Sequence, residues 1–227
     1  MLIQLLQSSP LMFALVAGVL IFSLSLHELA HAVVAEWVGD DTARNLGRIT
    51  LNPIKHLDPV GALLLLFVGF GWAKPVPISP SKFKNYRSGL FFVSIAGVVV
   101  NFIIAIIALA ILGFIGITMT NTGSLGLETG SIASNLINSK YGSELITGLY
   151  MIAQINIILA VFNLIPVPPL DGSKVLLSII PSLDSVFRKV QQFGFLIVIV
   201  LIRLDGSSIN LLGKITTAIS RFVLALV

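Results

Sequence analysis

The 227-residue sequence contains no cysteine, and only 11% of its residues are charged. The lack of cysteine excludes disulfides, iron–sulfur clusters, thiolate zinc sites and thiol nucleophiles. A soluble domain carries roughly 25% charged residues, so a chain that is 56% hydrophobic is expected to be an integral membrane protein. Its 14 Lys and Arg residues are spread between apolar runs and form no basic patch for nucleic acid. We predict a single integral-membrane domain over residues 1–227 that does not bind nucleic acid.

Long apolar runs make up most of the sequence. The first, Leu11–Val38, would be about 42 Å long as an α-helix, more than the ~30 Å hydrocarbon layer of a bilayer. No basic segment precedes it and no small-residue cleavage site is seen, so we expect a retained span rather than a signal peptide. Four further runs are predicted to cross the membrane: Leu90–Ile117, Leu145–Ile165, Val190–Leu204 and Ile209–Val227.

A shorter apolar run, Val60–Ala73, is too short to cross the bilayer comfortably and contains several glycines. Runs of this length are typical of re-entrant or interfacial segments. We therefore expect an all-α polytopic membrane protein with about five to six transmembrane helices. It would also contain one short re-entrant element, for which a β-hairpin is one option.

The basic residues predict the orientation, because positive charge accumulates on the cytoplasmic side of a membrane. Ten of the 14 lie in three segments, which hold Arg44, Arg48 and Lys55, then Lys74, Lys82, Lys84 and Arg87, then Lys174, Arg188 and Lys189. The first two segments flank the Val60–Ala73 run, so both of its ends are expected in the cytoplasm. The N-terminus is then outside and the C-terminus inside, in a multi-pass protein of the cell membrane.

The first apolar run contains the sequence His27-Glu28-Leu29-Ala30-His31. In a helix, two histidines four residues apart project from one face and can bind one zinc ion, with the glutamate beside them as a general base. Ionisable side chains are costly within a membrane and mark functional sites there. The motif therefore predicts a metal site, and a chance group of polar residues in a membrane helix is the alternative.

A catalytic zinc ion usually has three protein ligands, and the histidine pair provides two. Because cysteine is absent and His56 lies in a basic loop, where we expect a surface or loop-folding role, the third ligand should be a carboxylate. The candidates are Glu36, Asp40, Asp41, Asp58 and Asp171. Glu36 would face away from the histidine pair on the same helix. Asp40 and Asp41 follow Gly39, a typical helix end, and are expected to be solvated loop charges.

Asp171 lies just after a cluster of prolines at positions 166, 168 and 169. The prolines are expected to break the helix at the cytoplasmic end of a span, so that the following backbone can fold back toward the first helix. Asp171 then begins a new segment. The residues alone leave two interpretations of Asp171, a metal ligand or the N-cap of a cytoplasmic helix.

With these two motifs the chain resembles the site-2 protease family of intramembrane zinc metalloproteases. That family pairs HExxH in one transmembrane helix with NxxPxxxxDG in a later one, matched here by His27–His31 and by Asn163, Pro166, Asp171 and Gly172. The segments Leu46–Pro53 and Gly71–Pro77 are also similar, and they look like the compact subgroup without PDZ or CBS domains.

The resemblance implies that His27, His31 and Asp171 bind one zinc ion per chain. It also implies that Glu28 is the catalytic general base, which takes a proton from the attacking water and later passes it to the leaving amine. Zinc chemistry fits this role, because the metal acidifies water and polarises a carbonyl.

The resemblance further implies a substrate-binding role for Asn163, which would position the substrate or the oxyanion. An interhelical hydrogen bond is the alternative role for this side chain. The re-entrant element would bind a substrate strand through main-chain hydrogen bonds at Gly69, Phe70 and Gly71. A plain interfacial loop anchored by Trp72 is the alternative.

Asn101 follows a stretch of small residues, Ser94–Gly97, on one face of the second long apolar run. Small residues favour close helix packing, and an asparagine in lipid is expected to face inward. The sequence predicts no specific role for this side chain.

The implied function is that of an intramembrane zinc endopeptidase. It would cleave the transmembrane segments of single-span membrane proteins in the bilayer, close to the cytoplasmic side, in regulated intramembrane proteolysis. His31 lies only about seven residues, or roughly 10 Å of helix, from the predicted cytoplasmic end at Val38. The alternative function is a membrane metal-ion transporter, but transporters often contain internal repeats and none is visible here.

Overall fold

The computed structural model describes residues 2–68, 71–119, 124–127, 131–139, 141–205 and 210–226. Most of these residues are helical. The α-helices are α1 (Leu2–Ser8), α2 (Pro10–Trp37), α3 (Thr42–Asn45), α4 (Pro59–Val68), α5 (Tyr86–Phe114), α6 (Ile132–Ile137), α7 (Gly142–Asn163), α8 (Asp171–Ile179), α9 (Asp184–Gln191), α10 (Gly194–Leu204) and α11 (Leu211–Leu224). Short 3₁₀ turns cover Pro53–Lys55, Pro80–Lys82 and Pro181–Leu183. The strands β1 (Ile117–Met119) and β2 (Leu125–Leu127) pair antiparallel, with Ile117 opposite Leu127.

Three of the described helices are long and apolar enough to cross a membrane: α2 with 28 residues, α5 with 29 and α7 with 22. They correspond to the first three predicted spans. The helices α10 and α11 have 11 and 14 residues, fewer than the ~20 that a membrane-spanning helix needs. The two predicted spans after residue 190 therefore stay predictions.

The chain divides into two compact units, Met1–Asn101 with Asn163–Phe195 and Phe102–Phe162 with Leu196–Val227. In the first unit, the core includes Ala35, Phe83, Leu90 and Val93. In the second, it includes Leu109, Leu112, Ile117 and Ile157. All residues of the HExxH and NxxPxxxxDG motifs belong to the first unit. That residues 1–227 form a single domain stays a prediction.

The short apolar run begins as a helix, so a β-hairpin is wrong for residues 59–68. Asp58 starts α4 by accepting a hydrogen bond from Gly61 N at 2.8 Å. The chain then returns to the base of the helix, where a Cβ atom at Gly71 would lie 2.1 Å from the carbonyl oxygen of Gly61. An antiparallel bridge between Leu57 and Ala73 closes the element. The described ends of the run therefore lie side by side, and its entry into a membrane as a re-entrant element stays a prediction.

The turn after α2 buries a carboxylate that was expected to be solvated. Gly39 turns the chain with φ +112°, and the next residue, Asp40, is fully buried. Its carboxylate accepts hydrogen bonds from Thr42 N at 3.0 Å, from the Thr42 hydroxyl and from Ser79 N at 2.6 Å. The solvated assignment is wrong for Asp40, because the segment around Ser79 folds over it. It is correct for Asp41, which is exposed and lies 2.7 Å from Lys82.

Asp40→Asn is expected to lower the free energy of unfolding by about 2 kcal/mol at pH 7, since hydrogen bonds to a buried charged group are lost. Burial raises the pKa of the Asp40 carboxyl, but hydrogen bonds from Ser79 and Thr42 outweigh it and hold the pKa below its usual value. A depressed native-state pKa stabilises the fold above the unfolded-state value, and this stabilisation is lost as pH falls below about 4.

The measurement for Asp40→Asn is thermal unfolding in detergent at pH 7, 5 and 3.5. The difference from wild type should persist at pH 5 and shrink at pH 3.5. Asp41→Asn is the matched control and should change stability little, since that ion pair is solvent-exposed. Equal stability of wild type and Asp40→Asn at pH 7 would contradict a structural role for this carboxylate.

Candidate metal centre

Three side chains from distant parts of the sequence converge in the first unit. His27 and His31 lie on α2, and Asp171 is the first residue of α8. The Oδ2 atom of Asp171 lies 3.1 Å from Nε2 of each histidine, and the two Nε2 atoms are 3.0 Å apart. All three residues are buried, with 4%, 6% and 7% of their surface exposed.

Local sequence explains how the two helices deliver these side chains. The four-residue spacing places His27 and His31 on one face of α2. At α8, Gly172 lets the chain pass close to the end of α7, since a Cβ atom there would lie 2.2 Å from the carbonyl oxygen of Leu164. Leu170 occupies the N-cap position and makes no side-chain cap. The N-cap interpretation of Asp171 is therefore wrong, and its carboxylate instead faces the two histidines.

The hydrogen bonds of the two imidazole rings define where their protons lie. The Nδ1 atom of His31 is 2.6 Å from the carbonyl oxygen of Val93, and Nδ1 of His27 is 2.6 Å from Oδ1 of Asn101. Both oxygens can only accept, so each ring donates from Nδ1. In the neutral rings the Nε2 lone pairs then face each other and the Asp171 carboxylate. A cation bound between three acceptors that converge in a buried place would satisfy all of them.

The spacing and chemistry of the three atoms fit zinc. Zinc takes its ligands at about 2.0–2.2 Å, and a tetrahedral arrangement sets neighbouring ligand atoms roughly 3.3 Å apart. The observed separations of 3.0–3.1 Å are close to this value. Two imidazoles and one carboxylate are also a ligand set of catalytic zinc sites. Among the residues that the structure describes, this is the one group of His, Cys, Asp and Glu side chains with metal-binding spacing.

The Glu28 carboxylate is held in place by the segment that follows α4. Its Oε2 accepts a hydrogen bond from Val76 N at 2.8 Å. Val76 lies between Pro75 and Pro77, and prolines have no N–H to donate. Val76 is therefore the one backbone donor in this tripeptide. Sequence reasoning missed it, although the Pro-Val-Pro pattern was visible.

The other carboxylates that the sequence offered as ligands have different partners. Glu36 pairs with Arg44, Asp41 pairs with Lys82, and Asp58 caps α4. None of them belongs to the described metal-binding group.

His56 has a structural role and is fully buried. Its Nε2 donates to the carbonyl oxygen of Thr50 at 2.9 Å, and its own carbonyl oxygen accepts from Lys74 N at 2.8 Å. The expected loop-folding role fits these contacts, and a surface position does not.

The structure describes two of the four predicted substrate-binding residues, Asn163 and Gly71. Asn163 is the last residue of α7 and is partly buried. Gly71 packs against Gly61 at the base of α4. Gly69 and Phe70 lie outside the described residues. The substrate-binding role of all four residues stays a prediction.

The chain is similar to one protein family and to several known proteins. The family described as Peptidase family M50 matches residues 14–204. A Bacillus subtilis protein named "Putative zinc metalloprotease YwhC" is 41% identical over 186 residues, which cover 80% of this chain and 77% of that protein. "Putative zinc metalloprotease Rip2" of Mycolicibacterium smegmatis is 26% identical over 196 residues, which cover 84% of this chain and 67% of that protein. The Mycobacterium tuberculosis protein of the same name is 27% identical over 196 residues, which cover 83% of this chain and 66% of that protein. No solved structure matches the chain significantly.

Proposed function

Because the chain belongs to peptidase family M50, the site-2 protease family, and is an integral membrane zinc metalloprotease, we propose that it performs regulated intramembrane proteolysis. It would cleave the transmembrane segments of single-span membrane proteins, near the cytoplasmic side of the cell membrane. One observation carries this proposal. His27 and His31 lie on α2, a helix long enough to cross a bilayer, and both are buried next to Asp171. His31 lies six residues, or roughly 9 Å of helix, before the end of α2 at Trp37.

In the proposed mechanism, His27, His31 and Asp171 would hold the zinc ion. Bound zinc supplies a Lewis acid that polarises the scissile carbonyl and acidifies water. Glu28 takes the proton from the water as its oxygen bonds to the carbonyl carbon. The same carboxyl then gives this proton to the amide nitrogen as the C–N bond breaks, so that one water is consumed for each bond cleaved. The hydrogen bond from Val76 N orients the Glu28 carboxylate for both transfers.

The substrate must lose its helical structure before cleavage, because backbone carbonyls are hydrogen-bonded within a transmembrane helix. We propose that the re-entrant element aligns the unwound segment of the substrate. Its residues 71–79 contain no regular helix and reach Glu28 through Val76. In this proposal Gly69, Phe70 and Gly71 bind the substrate backbone by the main-chain pairing used in β-strand addition. The Asn163 side chain positions the substrate or the oxyanion.

Removal of zinc is expected to stop cleavage of a single-span substrate when enzyme and substrate are reconstituted in liposomes. A chelator such as 1,10-phenanthroline should abolish product formation, and added zinc should restore it, because the metal is needed for both water activation and carbonyl polarisation. Mass spectrometry of the fragments should place the cut within the apolar segment, in its cytoplasmic half. Cuts confined to loops outside the membrane, or zinc flux without any cleavage, would contradict the proposed function.

A further inference from the structure

One face of α5 contacts both histidines of the candidate metal centre. Val93, Gly97 and Asn101 follow each other at four-residue intervals, so they lie along the same side of the helix. The Val93 carbonyl accepts from His31 Nδ1, and Asn101 Oδ1 accepts from His27 Nδ1, both at 2.6 Å. Gly97 lies between these two contacts. The two zinc-protease motifs do not include any of these three positions.

Gly97 provides the space in which the His27 ring lies. A Cβ atom at this position would be 2.5 Å from Cε1 and Nε2 of His27 and 2.6 Å from Nδ1. Contacts this short are not tolerated, so any larger residue would force the ring to move. The backbone of α5 can therefore approach the ring closely only because residue 97 is glycine.

Asn101 defines the orientation of the His27 ring. Its side chain is fully buried, where a polar group without a hydrogen-bond partner would be costly. By accepting from Nδ1, it keeps the proton on that nitrogen and directs the lone pair of Nε2 toward His31 and Asp171. Partners of this kind orient metal-ligating histidines, and their loss typically costs 10- to 100-fold in metal affinity. General helix packing would explain a buried asparagine, but not its short contact with His27, a proposed zinc ligand.

We propose that α5 is the positioning helix of the metal centre, with Asn101 orienting the His27 ring and Gly97 providing its space. Asn101 and Gly97 are positioning residues and do not touch the substrate or the metal. The inference rests on the proposed function only through the ligand role of His27, His31 and Asp171. Its distinctive consequence is that changes on α5 alter zinc affinity.

The test is zinc affinity of the purified full-length chain in detergent, measured by competition with a fluorescent chelator. Asn101→Leu keeps the size of the side chain and removes the acceptor, so zinc should bind about 10- to 100-fold more weakly. Asn101→Asp restores an acceptor oxygen and should recover most of the affinity. Asn156→Leu is the matched control: it removes another fully buried asparagine, on α7. We expect that variant to lose stability to a similar extent and to bind zinc as wild type does.

Gly97→Ala tests whether Gly97 provides the space for the His27 ring. It also serves as the test of the whole inference if Asn101→Leu does not fold. It should weaken zinc binding and shift the visible absorption bands of the cobalt-substituted protein, since the His27 ring is displaced. Gly18→Ala on α2 is the control, because a Cβ atom there has no neighbour within 4 Å. Wild-type zinc affinity in Asn101→Leu, or in Gly97→Ala where only that variant folds, would overturn the inference. If zinc binding also survives His27→Ala and Asp171→Asn, the ligand assignment itself is wrong. These two variants therefore distinguish failure of the inference about α5 from failure of the proposed function.

Discussion

Glu28→Gln is expected to abolish peptide-bond cleavage while the protein still binds zinc. Glutamine has nearly the same shape as glutamate, and its Oε1 can still accept from Val76 N, so the local structure should persist. The amide cannot take up the proton of the attacking water. Loss of a general base typically costs 10²- to 10⁴-fold in rate, and a larger loss is expected here because the same carboxyl also protonates the leaving amine.

The measurement for Glu28→Gln is the cleavage rate of a single-span substrate in liposomes, together with zinc per chain from elemental analysis. Glu36→Gln is a matched control on the same helix, because Glu36 pairs with Arg44 outside the metal group. The control should retain both activity and zinc. Mass spectrometry of membrane proteins that accumulate in cells with the Glu28→Gln variant would also identify the physiological substrate. Normal turnover by Glu28→Gln would remove the general-base assignment.

The second large effect is the loss of zinc from Asp171→Asn. The carboxylate is the one anion in the group of three converging acceptors, and a neutral amide is a much weaker zinc ligand. The two histidines alone leave the ion with too few protein ligands for a catalytic site. We expect zinc affinity to fall by more than about 100-fold, since even a partner that only orients a ligand is worth 10- to 100-fold.

Zinc content and chelator competition on the purified chain measure the effect of Asp171→Asn. Asp184→Asn is the control, since this aspartate lies on α9 and pairs with Arg188 in an exposed ion pair. Thermal unfolding checks that the Asp171→Asn variant is folded. Unchanged zinc stoichiometry and affinity in a folded Asp171→Asn variant would exclude Asp171 as a ligand.

Local patterns predicted the parts of the structure that depend on neighbouring residues. The apolar runs at 11–38, 90–117 and 145–165 became α2, α5 and α7 with small shifts at their ends. The four-residue spacing of His27 and His31 was enough to place both rings on one face, because helical periodicity is a local property. The short run at 60–73 was expected to return to the side where it starts, and its ends do lie together, although its helical start was not distinguished from a β-hairpin.

Contacts between distant segments were harder to predict. Asp40 was expected in solvent, yet it is buried because Ser79, 39 residues away, folds over it. The hydrogen bond from Val76 to Glu28 joins residues 48 apart, and no periodic pattern reports such a pairing. Asn101 was expected to face inward, but its partner became apparent only from the 2.6 Å contact with His27.

The sequence by itself determined that this is a membrane protein with a histidine pair for a metal and a glutamate beside it. Composition and helical spacing are sufficient for that. The lack of cysteine also restricted the remaining ligand to a carboxylate. Only the tertiary structure excluded the N-cap interpretation of Asp171 and placed its carboxylate within 3.1 Å of His27, from which it lies 144 residues away in the sequence. It also showed which oxygen accepts a hydrogen bond from Nδ1 of each imidazole ring. Both results depend on how α2, α5 and α8 pack. The free energy of these contacts arises between helices, so it leaves no periodic signal in the sequence of any one helix.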